Sequence, residues 1–157
     1  MASSAESDRR MHKQLAEHLA SHGLKQTRQR EAILDAFIAA RGHVSSEELY
    51  EVVRARHPEV GAATVYRALK LFCDAGVARA HHFRDGVTLY EREGHHHDHL
   101  ICTGCGAIVE FENPLIEEEQ EKVAVDHGYR LTQHRHILYG VCPKCQKKES
   151  AAARAVR

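Results

Sequence analysis

Two kinds of metal ligand stand side by side in the segment GHHHDHLICTGC, which runs from Gly94 to Cys105. Histidine and aspartate fill residues 95–99, and a Cys-x-x-Cys pair follows after two apolar residues. Imidazole and carboxylate ligands suit borderline and harder divalent ions, whereas paired thiolates suit zinc. The segment therefore predicts more than one metal site.

The thiolate site has a second half near the end of the chain. Its predicted ligands are Cys102, Cys105, Cys142 and Cys145, arranged as two Cys-x-x-Cys pairs. Four thiolates close the tetrahedral shell of Zn²⁺ and leave no open position, which indicates a structural rather than a catalytic site. The alternatives are two unrelated reduced thiol pairs or a redox-active pair. The fifth cysteine, Cys73, lies in a predicted helix and is interpreted as a small buried hydrophobe.

The histidine run can serve two sites if its backbone is extended. Successive side chains of a strand point to opposite faces, so His97 and His99 share one face while His96 and Asp98 share the other. His95 receives no role. The alternative is a solvated polar linker. Further donors must come from elsewhere in the chain, and the candidates are His43, Glu91, Glu110, Glu117 and His134.

The elements ahead of this segment predict a winged helix-turn-helix. Apolar spacing, capping residues and glycines indicate four helices before residue 76, and two β-like runs then flank Asp85-Gly86, a pair suited to a hairpin turn. The fourth helix, which contains Tyr66 and Arg67, is the candidate DNA-recognition helix. Lys25, Arg28 and Arg30 form a basic cluster suited to phosphate contact.

A composition change near residues 91–94 predicts a domain boundary. We expect a winged-helix DNA-binding domain over residues 1–92 and a small α/β metal-binding dimerisation domain over 93–157, with a mobile C-terminal tail. The second domain has strand-like runs around the first Cys pair, a helix opened by Asn113-Pro114 and an extended run from Tyr129 to Val141. The expected fold class is therefore α+β. We expect the zinc site to stabilise the second domain, which is too small for a large core.

Composition limits the location and the kind of partner. The 22 basic and 22 acidic residues cancel, which excludes a broad polycationic coat but not a local DNA-binding patch. No apolar run is long enough for a membrane span, and the first residues lack the apolar region of a secretory signal. We therefore expect a cytoplasmic protein with reduced thiols and no membrane partner.

The motifs ATVYRAL, HHHDHLICTGCG, EF and the C-terminal Cys-x-x-Cys together resemble the ferric uptake regulator (Fur) family of bacterial metal-responsive transcriptional regulators. The resemblance extends from GLKQTRQR to CPKC, nearly the whole chain. It implies a homodimer that binds double-stranded DNA at an A·T-rich palindromic operator, with Lys25 in the minor groove.

The resemblance also assigns the ligands to sites. It implies an interdomain regulatory site formed by His43, Glu91, His97, His99 and Glu110. It further implies an accessory site in the dimerisation domain, formed by His96, Asp98, Glu117 and His134.

The function implied is Fe²⁺-responsive repression of iron-uptake genes, with Zn²⁺ or Mn²⁺ able to substitute as the regulatory metal. Glu110 and Asp98 favour iron sensing over peroxide sensing, and a zinc-responsive regulator of the same family is the nearer alternative. A metal-dependent hydrolase is a remoter alternative, which the lack of an H-E-x-x-H motif disfavours. A purely structural zinc module would not need the surplus of nitrogen and oxygen donors.

Overall fold

The computed structural model describes residues 4–40, 42–82, 86–94 and 96–155. The chain divides into two compact units, Met1–Gly94 and His95–Arg157, called here the first and the second unit. The fold class predicted from the sequence is confirmed, because a helical unit with a small sheet precedes a smaller α/β unit. Among the described residues, no helix combines the length and the apolarity needed to cross a bilayer.

The first unit has four helices and a three-stranded sheet. In chain order its elements are α1 (Ser4–Ser21), α2 (Arg28–Ala39), β1 (Val44–Ser45), α3 (Ser46–Arg54), α4 (Ala62–Asp74), β2 (Ala78–His82) and β3 (Thr88–Arg92). Strand β3 is central and pairs antiparallel with both β1 and β2. The third helix ends at Arg54, earlier than the His57-Pro58 stop expected from the sequence.

Local sequence signals start these helices. Thr27 Oγ1 accepts from the Arg30 amide at 3.2 Å and so caps α2. Ser45 and Glu48 form the reciprocal capping box expected before α3, with hydrogen bonds of 3.1 and 2.8 Å. The apolar faces of the helices then converge on one core. Its largest members are Phe37, Phe72, Leu15, Ile33, Leu34, Leu49 and Leu69.

The second unit is built on another three-stranded sheet. Its elements are β4 (Asp98–Cys102), β5 (Ile108–Phe111), α5 (Pro114–Asp126), β6 (Ile137–Gly140) and α6 (Pro143–Ala155). Strand β4 lies in the middle, antiparallel to β5 and parallel to β6. Asn113 Oδ1 accepts from the Leu115 amide at 3.1 Å, and Pro114 begins α5 as expected.

One expectation for the second unit needs correction. The extended run expected from Tyr129 to Val141 is a strand only over Ile137–Gly140, because β6 pairs with β4 from His99 onward and β4 begins at Asp98. The C-terminal tail forms helix α6 as far as Ala155. Alanine, lysine, glutamine and glutamate all have high helix propensity, and Pro143 suits a first helical position. The Asp85-Gly86 turn lies partly outside the described residues.

Candidate metal centres

The four cysteines meet at one end of the second sheet. Cys102 ends β4, Cys105 lies in the following turn, and Cys142 and Cys145 flank the start of α6. Their sulfur atoms all lie within 4.8 Å of one another, and Cys105 Sγ is 3.7 Å from Cys142 Sγ. Tetrahedral Zn²⁺ with Zn–S bonds of about 2.3 Å places its sulfur ligands about 3.8 Å apart. The donor set and its spacing therefore fit a structural zinc site.

The backbone around this cluster also favours a thiolate at Cys102. The amides of Cys142 and Gly104 donate to Cys102 Sγ at 3.2 and 3.4 Å, and these hydrogen bonds lower the pKa of the Cys102 thiol to about 6. A side chain at Gly104 would place its Cβ 3.1 Å from Cys145 Sγ. The close approach of Cys145 therefore favours glycine at residue 104.

The first unit contains two of the predicted regulatory ligands, and they are in contact. His43 Nε2 lies 3.2 Å from Glu91 Oε2, and both side chains are buried, at 7% and 6% exposure. The sheet positions them. Val44 of β1 pairs with Tyr90 of β3, and this pairing brings His43, the residue just before β1, beside Glu91. His81 Nε2 lies 2.7 Å from the other oxygen, Glu91 Oε1.

His81 was not predicted from the sequence, although the strand pairing contained the signal. Arg79 pairs with Glu91 and His81 pairs with Leu89, so His81 and Glu91 are diagonal neighbours on one face of the hairpin. Recognising this requires the register of the two strands. The turn expected at Asp85-Gly86 does not determine that register.

The second unit contains the other three predicted regulatory ligands. His97 Nε2 lies 4.0 Å from Glu110 Oε2, and the rings of His97 and His99 are edge to face with centroids 4.9 Å apart. Antiparallel pairing of β4 with β5 places His99 directly opposite Glu110. These three donors therefore lie near one another, on β5 and around the start of β4.

The accessory set, His96, Asp98, Glu117 and His134, comes together completely within the second unit. Its ligand atoms lie within 4.8 Å of one another. His96 Nε2 is 3.1 Å from Glu117 Oε1 and 3.4 Å from Asp98 Oδ1, and His134 Nε2 is 3.0 Å from Glu117 Oε2. Helix α5 supplies the glutamate and β4 the aspartate.

The burial of Asp98 indicates that this cluster fits a cation. The side chain is 1% exposed, and its Oδ1 atom makes no hydrogen bond with any residue that the structure describes. A buried carboxylate oxygen without a donor is costly unless a positive charge compensates it. A divalent ion held by two imidazoles and two carboxylates would do so.

His136 is a second residue that was not predicted. Its Nδ1 lies 3.3 Å from Asp98 Oδ2, and its ring meets Phe111 edge to face with centroids 6.0 Å apart. The backbone adds a contact, because the His99 amide donates to the His136 carbonyl at 3.3 Å. The sequence signal is a histidine two residues after His134, but it becomes informative only once β6 is known to run beside β4.

The predicted DNA-contacting residues all lie on the surface of the first unit. Tyr66 and Arg67 are exposed on α4, and Lys70 Nζ lies 5.9 Å from the centre of the Tyr66 ring. Lys25 and Arg28 are exposed at the start of α2. The guanidinium of Arg30 donates to the Lys25 carbonyl and fixes the loop before the helix. The α4 side chains and the basic residues around the start of α2 are thus accessible to a polyanion.

Cys73, also singled out in the sequence, lies outside the metal clusters. Cys73 is half-buried against the first core, and burial raises the pKa of its thiol, as expected for an unreactive cysteine. His95 lies outside the described residues.

Comparison with known proteins agrees with the fold. Residues 21–139 match the model of the ferric uptake regulator family. A ferric uptake regulation protein of Neisseria meningitidis is 45% identical over 132 residues, which cover 83% of this chain and 92% of the relative. That relative is named for regulation and not for a reaction.

Two solved structures extend the comparison. The Helicobacter pylori ferric uptake regulator, described as having three functional metal-binding sites, matches with a TM-score of 0.82 and 28% identity, over 88% of this chain and 93% of that chain. A zinc-bound manganese uptake regulator matches with a TM-score of 0.63 and 42% identity, over 82% and 98%. On these matches, this chain belongs to the ferric uptake regulator family.

Proposed function

We propose that this protein is a metal-dependent DNA-binding repressor that responds to Fe²⁺ and controls iron-uptake genes. The observation that carries the proposal is the surplus of clustered imidazole and carboxylate donors, beyond the four thiolates, on a chain with a helix-turn-helix. A structural zinc module needs only the cysteines. The names of the relatives support iron as the regulatory metal.

The proposed regulatory ligands are His43, Glu91, His97, His99 and Glu110. Imidazole and carboxylate donors suit Fe²⁺, and Zn²⁺ or Mn²⁺ can substitute because their ligand preferences overlap. Since the first two ligands belong to the first unit and the others to the second, an ion that takes donors from both couples the units. A coupling of about 1–3 kcal/mol corresponds to roughly 5–150-fold in DNA affinity.

The proposed DNA interface combines a reading element with an anchoring element. Helix α4 presents Tyr66 and Arg67, which can reach thymine methyl groups and base edges in the major groove. Lys25 and Arg28 contact phosphates, and Lys25 also enters an A·T-rich minor groove. A palindromic operator follows from two copies of the chain related by twofold symmetry. We place this activity in the cytoplasm and assign the protein no catalytic role.

The second unit offers the surface for the second copy. No residue of α5 is buried, and its apolar side chains Leu115, Val123 and Val125 are 70%, 59% and 71% exposed. Tyr129, just beyond the helix, is 74% exposed. Several large apolar side chains exposed on and beside one helix indicate an association site. We therefore infer a homodimer that buries α5.

Sedimentation equilibrium tests the dimer. Val123→Glu should shift the protein towards monomer, because it places a charge in the apolar face. The matched variant Val87→Glu changes a valine that is 48% exposed in the first unit, and it should remain dimeric. A monomeric parent protein would contradict the inference.

A gel-shift assay tests the metal response. Protein stripped of its regulatory metal but retaining zinc should bind an A·T-rich palindromic duplex weakly and regain binding when Fe²⁺ is added anaerobically. The double variant His97→Ala, His99→Ala should not regain it, whereas His127→Ala, an exposed histidine outside the clusters, should. Equal binding by the double variant and the parent at limiting metal would refute the regulatory site.

A further inference from the structure

Three donor side chains of the first unit converge on one another. Glu91 lies between two imidazoles, with Oε1 2.7 Å from His81 Nε2 and Oε2 3.2 Å from His43 Nε2. The rings of His43 and His81 are edge to face, with centroids 5.6 Å apart. All three side chains are between 5% and 7% exposed. The regulatory ligand set inferred from the sequence contains only two of them.

The hairpin and the short strand β1 fix this arrangement. His81 on β2 and Glu91 on β3 share one face of the sheet, and the Val44–Tyr90 pair brings His43 to the same place. That face is opposite to Tyr90, which packs in the core. The three donors therefore come from hydrogen-bonded strands or from the residue next to one, and this backbone holds them in place before any metal binds.

The chemistry of the cluster suits a cation. Two imidazoles and one carboxylate are the ligand set of many Fe²⁺ sites, which leave further positions open. Donors on one ion with bonds of about 2.1 Å lie about 3 Å apart when they are neighbours, close to both separations seen here. A buried carboxylate also requires compensation by positive charge or by hydrogen bonds.

We propose that His43, His81 and Glu91 form a three-ligand site for a divalent transition-metal ion, and that the first unit binds this ion by itself. His81 is then a metal ligand and not only a hydrogen-bond partner of Glu91. The proposal rests on the proposed function, since it concerns how the regulatory metal is acquired. His97, His99 and Glu110 are the proposed ligands that link its occupancy to DNA binding.

The test measures Co²⁺ binding by visible absorption in the full-length, zinc-retaining protein. The background variant carries His97→Ala and His99→Ala, and also His96→Ala and His134→Ala, which remove the accessory cluster. We expect this variant to bind one Co²⁺ per chain. Adding His81→Ala should lower the affinity at least about 10-fold, since loss of even an outer partner of a metal ligand costs that much.

Two further substitutions separate ligation from hydrogen bonding. His81→Gln keeps an amide donor for Glu91 but removes the imidazole, so it should weaken Co²⁺ binding as much as His81→Ala does. His82→Ala changes the next histidine, which is exposed and hydrogen bonds to Thr88 Oγ1 at 2.9 Å, and it should have no effect. Circular dichroism of each variant verifies folding, and the glutamine variant carries the test if the alanine variant is unfolded.

Three results would overturn the proposal. They are no Co²⁺ binding by the background variant, unchanged affinity after His81→Ala, and full affinity in His81→Gln. The proposed function fails in a different way, through wild-type DNA binding that does not respond to Fe²⁺. The background variant should bind Co²⁺ and yet show no metal-dependent DNA binding, and loss of this Co²⁺ on His81→Ala would assign the ion to the first unit.

Discussion

Individual side chains in this protein are held by neighbours that do not themselves bind metal. Asp98 shows this most clearly, because His136 engages Oδ2 while Oδ1 faces His96 in the accessory cluster. The aspartate is 1% exposed, so its orientation is set by protein contacts rather than by water. Such outer contacts orient ligands and raise metal affinity.

Replacing His136 by leucine should weaken metal binding at the accessory cluster about 10- to 100-fold. Leucine removes the contact with Asp98 Oδ2 and frees the carboxylate to rotate away from the ion. Titration calorimetry with Mn²⁺ measures the effect in a background that lacks the other proposed ligands, through His43→Ala, His81→Ala, His97→Ala and His99→Ala. Gln133→Ala, at an exposed residue, is the control. Unchanged affinity would show that His136 does not position Asp98.

Gly104→Ala should loosen the zinc site. The added Cβ would lie 3.1 Å from Cys145 Sγ and 3.2 Å from Cys145 Cβ, which forces the thiolate away from its partners. We expect faster release of zinc to a chromogenic chelator. Gly61→Ala is a matched control, because a Cβ there meets nothing within 4 Å. Equal release rates in the two variants would contradict the packing described for this loop.

At the scale of elements, α4 and the loop before α2 should contribute to DNA binding in different ways. Arg28→Ala, at the first residue after that loop, should weaken binding to all sequences alike and reduce the slope of log affinity against log salt by about 0.9, since it removes one phosphate contact. Arg67→Ala should cost about 1–3 kcal/mol on the operator and much less on other DNA. Lys122→Ala on α5 is the control for loss of charge.

Fluorescence anisotropy at several salt concentrations measures both effects. An Arg67 variant that loses the same affinity on operator and non-operator DNA would show that α4 does not read sequence.

Most elements could be predicted from the sequence because their signals are local. The Ser45–Glu48 capping box, the Asn113-Pro114 start and the spacing of Met11, Leu15 and Leu19 each depend on residues within one or two turns. Strand β1 is only two residues long and exists because β3 pairs with it, so no local pattern shows it. Helix α6 has clear propensity, but its polar composition resembles that of a disordered tail.

The difference between local and tertiary signals also explains which residues of the metal clusters could be predicted. Alternation along one strand separates His96 and Asp98 from His97 and His99, and the structure places the two pairs in different groups. The contacts of His81 and His136 depend on strand register. The strands that place His136, β4 and β6, are far apart in the sequence. The turn between β2 and β3, which place His81 beside Glu91, does not determine their register from sequence. Pairwise register is a tertiary property, and a single sequence does not contain it in readable form.

At the scale of the molecule, the two units differ in what stabilises them. The first has an extensive apolar core formed by its helices and its sheet. In the second, the buried apolar residues among those described are Ile101, Cys102 and Cys145, and two of these belong to the zinc cluster. A small domain with so little core depends on a metal for its stability.

Removal of zinc should therefore unfold the second unit and leave the first folded. Structural zinc contributes an apparent ~10–16 kcal/mol to folding in small zinc peptides, which a core of this size does not replace. Hydrogen exchange with mass spectrometry should show lost protection in peptides from residues 98–111 and 137–145 after chelation. Peptides from residues 28–74 serve as the internal control, and equal loss in both groups would contradict the assignment.

The most direct measurement of the central claim is the affinity for an A·T-rich palindromic duplex under anaerobic conditions, with free Fe²⁺, Mn²⁺ and Zn²⁺ each held by a metal buffer. The protein should retain its structural zinc throughout. We predict that Fe²⁺ raises the affinity roughly 5–150-fold and that Mn²⁺ can replace it. An affinity that no metal changes would refute metal-dependent repression, and activation by Zn²⁺ alone at very low free concentration would contradict the assignment of iron.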